Sequence, residues 1–132
     1  ANLNYSFDNI NYEFNYDDLL HQDSAPVRLF NRTVFLRIDV AVVINPIPPE
    51  LQNLTPEKLE IDRYAKVTLK NPSGQVWWEM TYNLTLVDSM TVNSPAPGNW
   101  LLAVEMVGVG NKNIKQDSYA VKAFAKEPVA GT

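Results

Sequence analysis

Residues 33–44 read Thr-Val-Phe-Leu-Arg-Ile-Asp-Val-Ala-Val-Val-Ile, and the period of this stretch decides the fold. Val34, Leu36, Ile38, Val40, Val42 and Ile44 fall on one face of an extended chain, while Arg37 and Asp39 fall on the other. Side chains of a strand alternate between two faces, so an apolar residue at every second position describes an antiparallel strand with one buried and one wet face. The period is two, not 3.6.

The same period extends outward in both directions. Ala65, Val67 and Leu69 alternate with Lys66, Thr68 and Lys70. From Gln75 to Leu86, Val76, Trp78, Met80, Tyr82, Leu84 and Leu86 alternate with Trp77, Glu79, Thr81, Asn83 and Thr85, which predicts one long strand. Trp100, Leu102, Val104 and Met106 form another inward row, and Tyr119, Val121, Ala123 and Ala125 a last one. Asn71-Pro72-Ser73-Gly74 between two of these rows predicts a hairpin turn, and Gly108-Val109-Gly110-Asn111-Lys112-Asn113 predicts a second. Residues 93–99, with Pro95, Pro97 and Gly98, predict a stiff loop. Pro46, Pro48 and Pro49 end the strand before them, and Thr55-Pro56-Glu57 offers a cap and first turn for one short helix.

The N-terminus alternates too, but with a slip. Leu3, Tyr5 and Phe7 share one phase, while Ile10, Tyr12, Phe14 and Tyr16 share the other, so the phase changes at Asp8-Asn9. A one-residue slip turns every later side chain to the opposite face, and a bulge or tight turn would reconcile the halves. An apolar strand face of this kind must be covered by its own domain or by a neighbour. Residues 1–16 therefore read as a strand arm, and residues 17–132 as a single antiparallel β-sandwich, immunoglobulin-like or jelly-roll-like.

The chain has 132 residues, net charge −4 and no cysteine. That length suits one domain with its own core. Zero cysteines excludes disulfides, thiol catalysis and cysteine-ligated zinc. Its 11 basic residues form no cluster, which argues against nucleic acid as a partner. No apolar run is long enough for a membrane span. A start at Ala1 fits a processed chain or an excised domain.

Catalytic signals are missing. The lone His21 has no nucleophile elbow or other motif to serve and reads as a loop residue. Gly108 and Gly110 form a GxG that a hairpin explains. Asp17, Asp18 and Asp23 cluster in a loop-like stretch and are weak calcium candidates. Their hard oxygens suit the ion, yet the spacing matches no EF-hand loop, and a solvated acidic loop is the competing reading. No other cofactor is indicated. Trp77 and Phe124 fall on the polar faces of their strands, where they either cover a further layer or mark a contact surface.

Four Asn-x-Ser/Thr sequons start at Asn4, Asn31, Asn53 and Asn83. With 14 asparagines in the chain, chance predicts about one such site. Asn4 and Asn83 fall on the faces assigned to solvent, and Asn31 and Asn53 in turns, as a glycan requires. These sites predict an extracellular or cell-surface location.

The second half also resembles a known kind of module. The matching residues are Val67-Thr68-Leu69-Lys70-Asn71-Pro72-Ser73-Gly74-Gln75-Val76, then Val92 to Trp100 with Leu102 and Val104, and then Ser118-Tyr119-Ala120-Val121. Over residues 62–126 this is similar to the β-sandwich domains of the pre-peptidase C-terminal and P-domain type attached to secreted subtilisin-like proteases. That likeness implies a sandwich fold and an accessory role beside a hydrolase, binding protein or carbohydrate. In overall make-up the chain also resembles archaeal surface-filament and archaellum-associated sandwich proteins. That likeness implies a subunit whose N-terminal strand completes the sheet of its neighbour.

The leading expectation is a non-catalytic extracellular structural protein acting by protein–protein contact, a homo-oligomer or the partner of another cell-envelope protein. Its expected contact residues are Leu3, Tyr5, Phe7, Ile10, Tyr12, Phe14, Trp77 and Phe124.

Overall fold

The computed structural model describes residues 2–15, 17–53, 62–109 and 116–128. Nine strands lie in these residues: β1 (Asn2–Ser6), β2 (Ile10–Glu13), β3 (Leu20–Leu29), β4 (Phe35–Val43), β5 (Asp62–Lys70), β6 (Val76–Tyr82), β7 (Leu86–Asn93), β8 (Gly98–Val109) and β9 (Ser118–Pro128). One turn of 3-10 helix covers Pro49–Leu51. The strands form two antiparallel sheets packed against each other. One has the order β1-β9-β4-β7, with β2 also pairing β9, and the other the order β3-β8-β5-β6. The all-β sandwich expected from the alternation is the fold.

The inward rows meet in one core. Leu36, Ile38, Val40 and Val42 of β4 face Ala65, Val67 and Leu69 of β5, with Trp100, Leu102, Val104 and Met106 of β8 and Tyr119, Val121, Ala123 and Ala125 of β9 beside them. Trp100 is buried at 1% exposure, and its indole Nε1 donates to the carbonyl of Ala96 at 2.9 Å, which satisfies its polar atom in the dry interior. The β5–β6 hairpin forms where Asn71-Pro72-Ser73-Gly74 predicts it. The Asn71 side-chain oxygen accepts from the backbone N–H groups of Ser73 and Gln75, and Gly74 takes the positive φ of 83° that the turn needs.

Three expectations about elements are corrected. The alternation over 75–86 is not one strand. β6 ends at Tyr82, the chain turns through Asn83–Thr85, and β7 continues in the opposite sheet. Period two persists across the turn, so alternation alone does not mark it. Val76 and Met80 on the edge strand β6 and Leu84 in the turn, expected inward, are 54%, 42% and 67% exposed. Gly108 lies inside β8 rather than in a hairpin, and β8 and β9 belong to different sheets. His21 and Asp23, read as loop residues, lie in β3, one of the longer strands. The helix expected at Thr55-Pro56-Glu57 falls outside the described residues, as do Gly110–Asn113 and Tyr16. No helix among the described residues is long and apolar enough to cross a membrane.

Candidate functional site

The arm is the structure's most distinctive feature. β1 and β2 lie end to end along the same neighbour, β9. Ser6 opposes Phe124 and Ile10 opposes Val121, so four steps along the arm match three along β9. The one extra residue is a bulge between Phe7 and Ile10, where the sequence phase slips. Its effect is that Tyr5, Phe7, Ile10, Tyr12 and Phe14 all fall on the core side, odd positions before it and even positions after it. Leu3 opposes Glu127 in the ladder.

The grip tightens towards the end of the arm. Tyr5 is still 42% exposed, Ile10 only 4%, and Phe14 is fully buried. The Phe14 ring lies directly on the backbone of Gly108, where an added Cβ would stand 2.3 Å from Phe14 Cε2. Glycine is required at 108 for lack of space, not for its φ. The Phe14 N–H donates to the carbonyl of Asp117 at 2.9 Å.

Asp117 is the centre of a buried polar pin. Its carboxylate accepts from Arg63 Nη1 at 2.9 and 3.1 Å and from the Asn45 N–H at 2.8 Å, while Arg63 Nη2 donates to the Asn45 carbonyl at 2.6 Å. The Arg63 and Asp117 side chains are 5% and 0% exposed. A buried pair of this kind stabilises little by itself, but losing one partner strands the other charge. The pin joins the end of the arm, the loop after β4, the start of β5 and the start of β9. Sequence reasoning missed it although the signal was present: Arg63 shares the phase of Ala65, and Asp117 shares that of Tyr119. Glu127 follows Ala125 in the same way. It is 2% exposed and accepts from the hydroxyl of Thr33.

A second cluster joins the arm to β3. The rings of Tyr12 and His21 stack with centroids 3.5 Å apart and planes 5° apart. The Tyr12 hydroxyl donates to Asp18 Oδ2 at 2.8 Å, which raises the phenol's pKa above its ordinary value, with burial and the Asp18 charge adding. Tyr119, on β9 beneath, is raised too, first by burial and then by the negative charge of Asp23. His21 is therefore a strand residue in an aromatic stack, not a loop residue.

The calcium candidates do not converge. Asp18 is occupied by Tyr12 and the Asn15 N–H, and Asp23 by the Ser24 N–H. Among the described residues no three His, Asp or Glu side chains gather where a metal could sit. Trp77 is not simply on the polar face. Leu69 opposes Trp78 but Lys70 opposes Val76, so Trp77 is the extra residue of a bulge, and its ring meets Trp100 edge-on at 5.6 Å while staying 56% exposed. Phe124 does face outward, half-buried, with the Arg37 guanidinium 4.6 Å over its ring and Lys122 at 5.2 Å. Asn4, Asn31, Asn53 and Asn83 are all exposed. No protein-family model matches the chain, and no curated protein sequence matches it.

Proposed function

We propose that this chain is a non-catalytic extracellular structural protein acting by protein–protein contact, as a cell-surface filament or envelope-associated subunit. The observation that carries the reading is the arm. It is an N-terminal strand held on the β9 edge by a backbone ladder and by side chains that pack into the core and against Gly108. A strand supplied by a second copy would meet the same ladder and the same glycine socket, so one arm serves a closed monomer or links a chain of subunits. Four exposed sequon asparagines support a location outside the cell.

Asn11 and Ala120 oppose each other directly and are both exposed, so their Cα atoms have the spacing a disulfide accepts. The protein has no cysteine to interfere. The Asn11→Cys/Ala120→Cys variant is assembled at high concentration, oxidised and run on a non-reducing gel. Covalent multimers are the expected result. A protein that is monomeric at every concentration, with only an internal cross-link, overturns the subunit reading. That outcome favours an accessory module of a secreted hydrolase, the role implied by the likeness over residues 62–126.

A further inference from the structure

Asn83 stands in the turn between β6 and β7, and it is not on bare surface. With Asp62, Tyr64 and Thr81 it lines a pocket of about 330 Å3, along with Ile44 and the buried Arg63. The β5–β6 ladder ends at Ala65 opposite Tyr82, and its continuation sets Tyr64 beside Asn83 on the outer face. The turn is pinned: the Thr85 hydroxyl accepts from the Ile44 N–H and donates to the Ile44 carbonyl, each at 3.0 Å. Asn83 is thus presented in a fixed place beside an aromatic ring, a carboxylate and a hydroxyl.

That set suits a sugar. A pyranose has C–H faces that pack on the negative face of an aromatic ring, and a rim of hydroxyls that a carboxylate and a threonine can bond. We infer that Asn83 carries an N-linked glycan whose first sugar lies in this pocket against Tyr64, bonded at its rim by Asp62 and Thr81. The inference rests on the extracellular reading. In the linking step the Asn83 side-chain nitrogen attacks the anomeric carbon of a lipid-phosphate-linked oligosaccharide supplied by the host's transferase. An N–C bond forms, the C–O bond to phosphate breaks, the lipid phosphate leaves, and the amide proton passes to a base of the transferase. Nothing is oxidised or reduced.

The sequon at Asn31 contrasts with this one. The threonine hydroxyls of both sequons are hydrogen-bonded, but Thr33 is buried, whereas Thr85 is exposed. Asn4 stands within a paired strand opposite Lys126.

The test uses the full chain secreted from a glycosylating eukaryotic host. Glycopeptide mass spectrometry maps occupancy, and N-glycosidase release is timed on native and denatured protein. Asn83 is expected to be occupied. Its glycan is expected to come off the native protein at least tenfold more slowly than off the denatured one. Removing it is expected to lower Tm by about 2–4 °C. In Tyr64→Ala and in Asp62→Asn, each compared with its own deglycosylated form, both differences should shrink. Glycans at the other sequons with none at Asn83 overturn this inference and leave the extracellular reading standing. Glycans at none of the four overturn both. An occupied Asn83 whose release rate and Tm shift ignore Tyr64 and Asp62 overturns the pocket.

Discussion

The two long sides of the sandwich are closed in different ways. On one side the arm and β3 meet. Phe14 plugs the glycine socket, Ile10 is buried, and Tyr12 stacks on His21 across the gap between the sheets. On the other side β6 and β7 meet, with no strand over them among the described residues. Met80 and Val87 are 42% and 82% exposed, and what bridges the sheets is a hydrogen bond from the Tyr82 hydroxyl to Asp88 Oδ2 at 2.8 Å. One side is closed by the fully buried plug of the arm, and the other by the half-buried side chains Trp78, Leu86 and Met90 of two edge strands with a polar clasp between them. Buried volume is costly to remove, whereas a partly wet hydrogen bond contributes little net stability. The arm is thus part of the core, and the β6–β7 side is an edge.

The largest test of this contrast is at the socket. Phe14→Ala is expected to lower stability by about 3–5 kcal/mol in urea titration, the usual loss for a fully buried aromatic ring. Gly108→Ala alone should cost several kcal/mol because its Cβ would collide with that ring. In the Phe14→Ala background the same glycine change should cost clearly less, since the ring is gone and the Asp18 carbonyl, 3.2 Å from the added Cβ, is the tight contact that stays. Strict additivity of the two changes would break the socket account.

Alkaline pH probes both sides at once. Burial raises the pKa of Tyr82 and of Tyr119 above the ordinary value of 10, with Asp88 and Asp23 adding in turn. The unfolded chain therefore releases these protons first as pH rises. The stabilisation by neutral phenols is complete below pH 10 and is lost progressively above it. Tm should stay level through pH 8–9 and fall above 10, and Tyr82→Phe with Tyr119→Phe should flatten that fall. A fall of the same steepness in the double variant would assign it to other groups.

At neutral pH the two tyrosines part company. Tyr82→Phe removes the clasp and should cost about 1 kcal/mol. Tyr119 is 2% exposed and its hydroxyl has no hydrogen-bond partner among the described residues, so Tyr119→Phe removes an unsatisfied buried group. It should leave stability unchanged or raise it by up to about 1 kcal/mol. Equal losses at both positions would mean that the arm side holds a polar contact at Tyr119 after all. The smallest effect belongs to the open edge itself, where Val87→Thr should change stability by no more than about 0.5 kcal/mol by thermal melt.

Much of this was legible in the chain. Period two named the strands of the core, and the slip at Asp8-Asn9 located the arm's bulge before any register was known. The inward phase of Arg63 and Asp117 was equally readable, though charged residues are not looked for in an apolar row. Proximity in sequence says nothing about where carboxylates point, and among the described residues Asp17, Asp18 and Asp23 do not gather into one cluster. Alternation puts Trp77 on the polar face, but it is the extra residue of a bulge against β5, and no slip in the apolar phase marks that bulge as one marks the arm's.

Sequence alone determined that this protein is all-β, which side chains face inward along most strands, and where the hairpin turns. These are local matters, settled by the two-residue repeat of an extended chain and by the backbone preferences of glycine, proline and asparagine. Only the tertiary structure decided which strands share a sheet, that the arm lies along β9, that Gly108 receives Phe14, and that Asp117 meets Arg63. Those outcomes depend on which distant surfaces fit one another in space, and fit is a property of pairs that no single stretch of sequence carries.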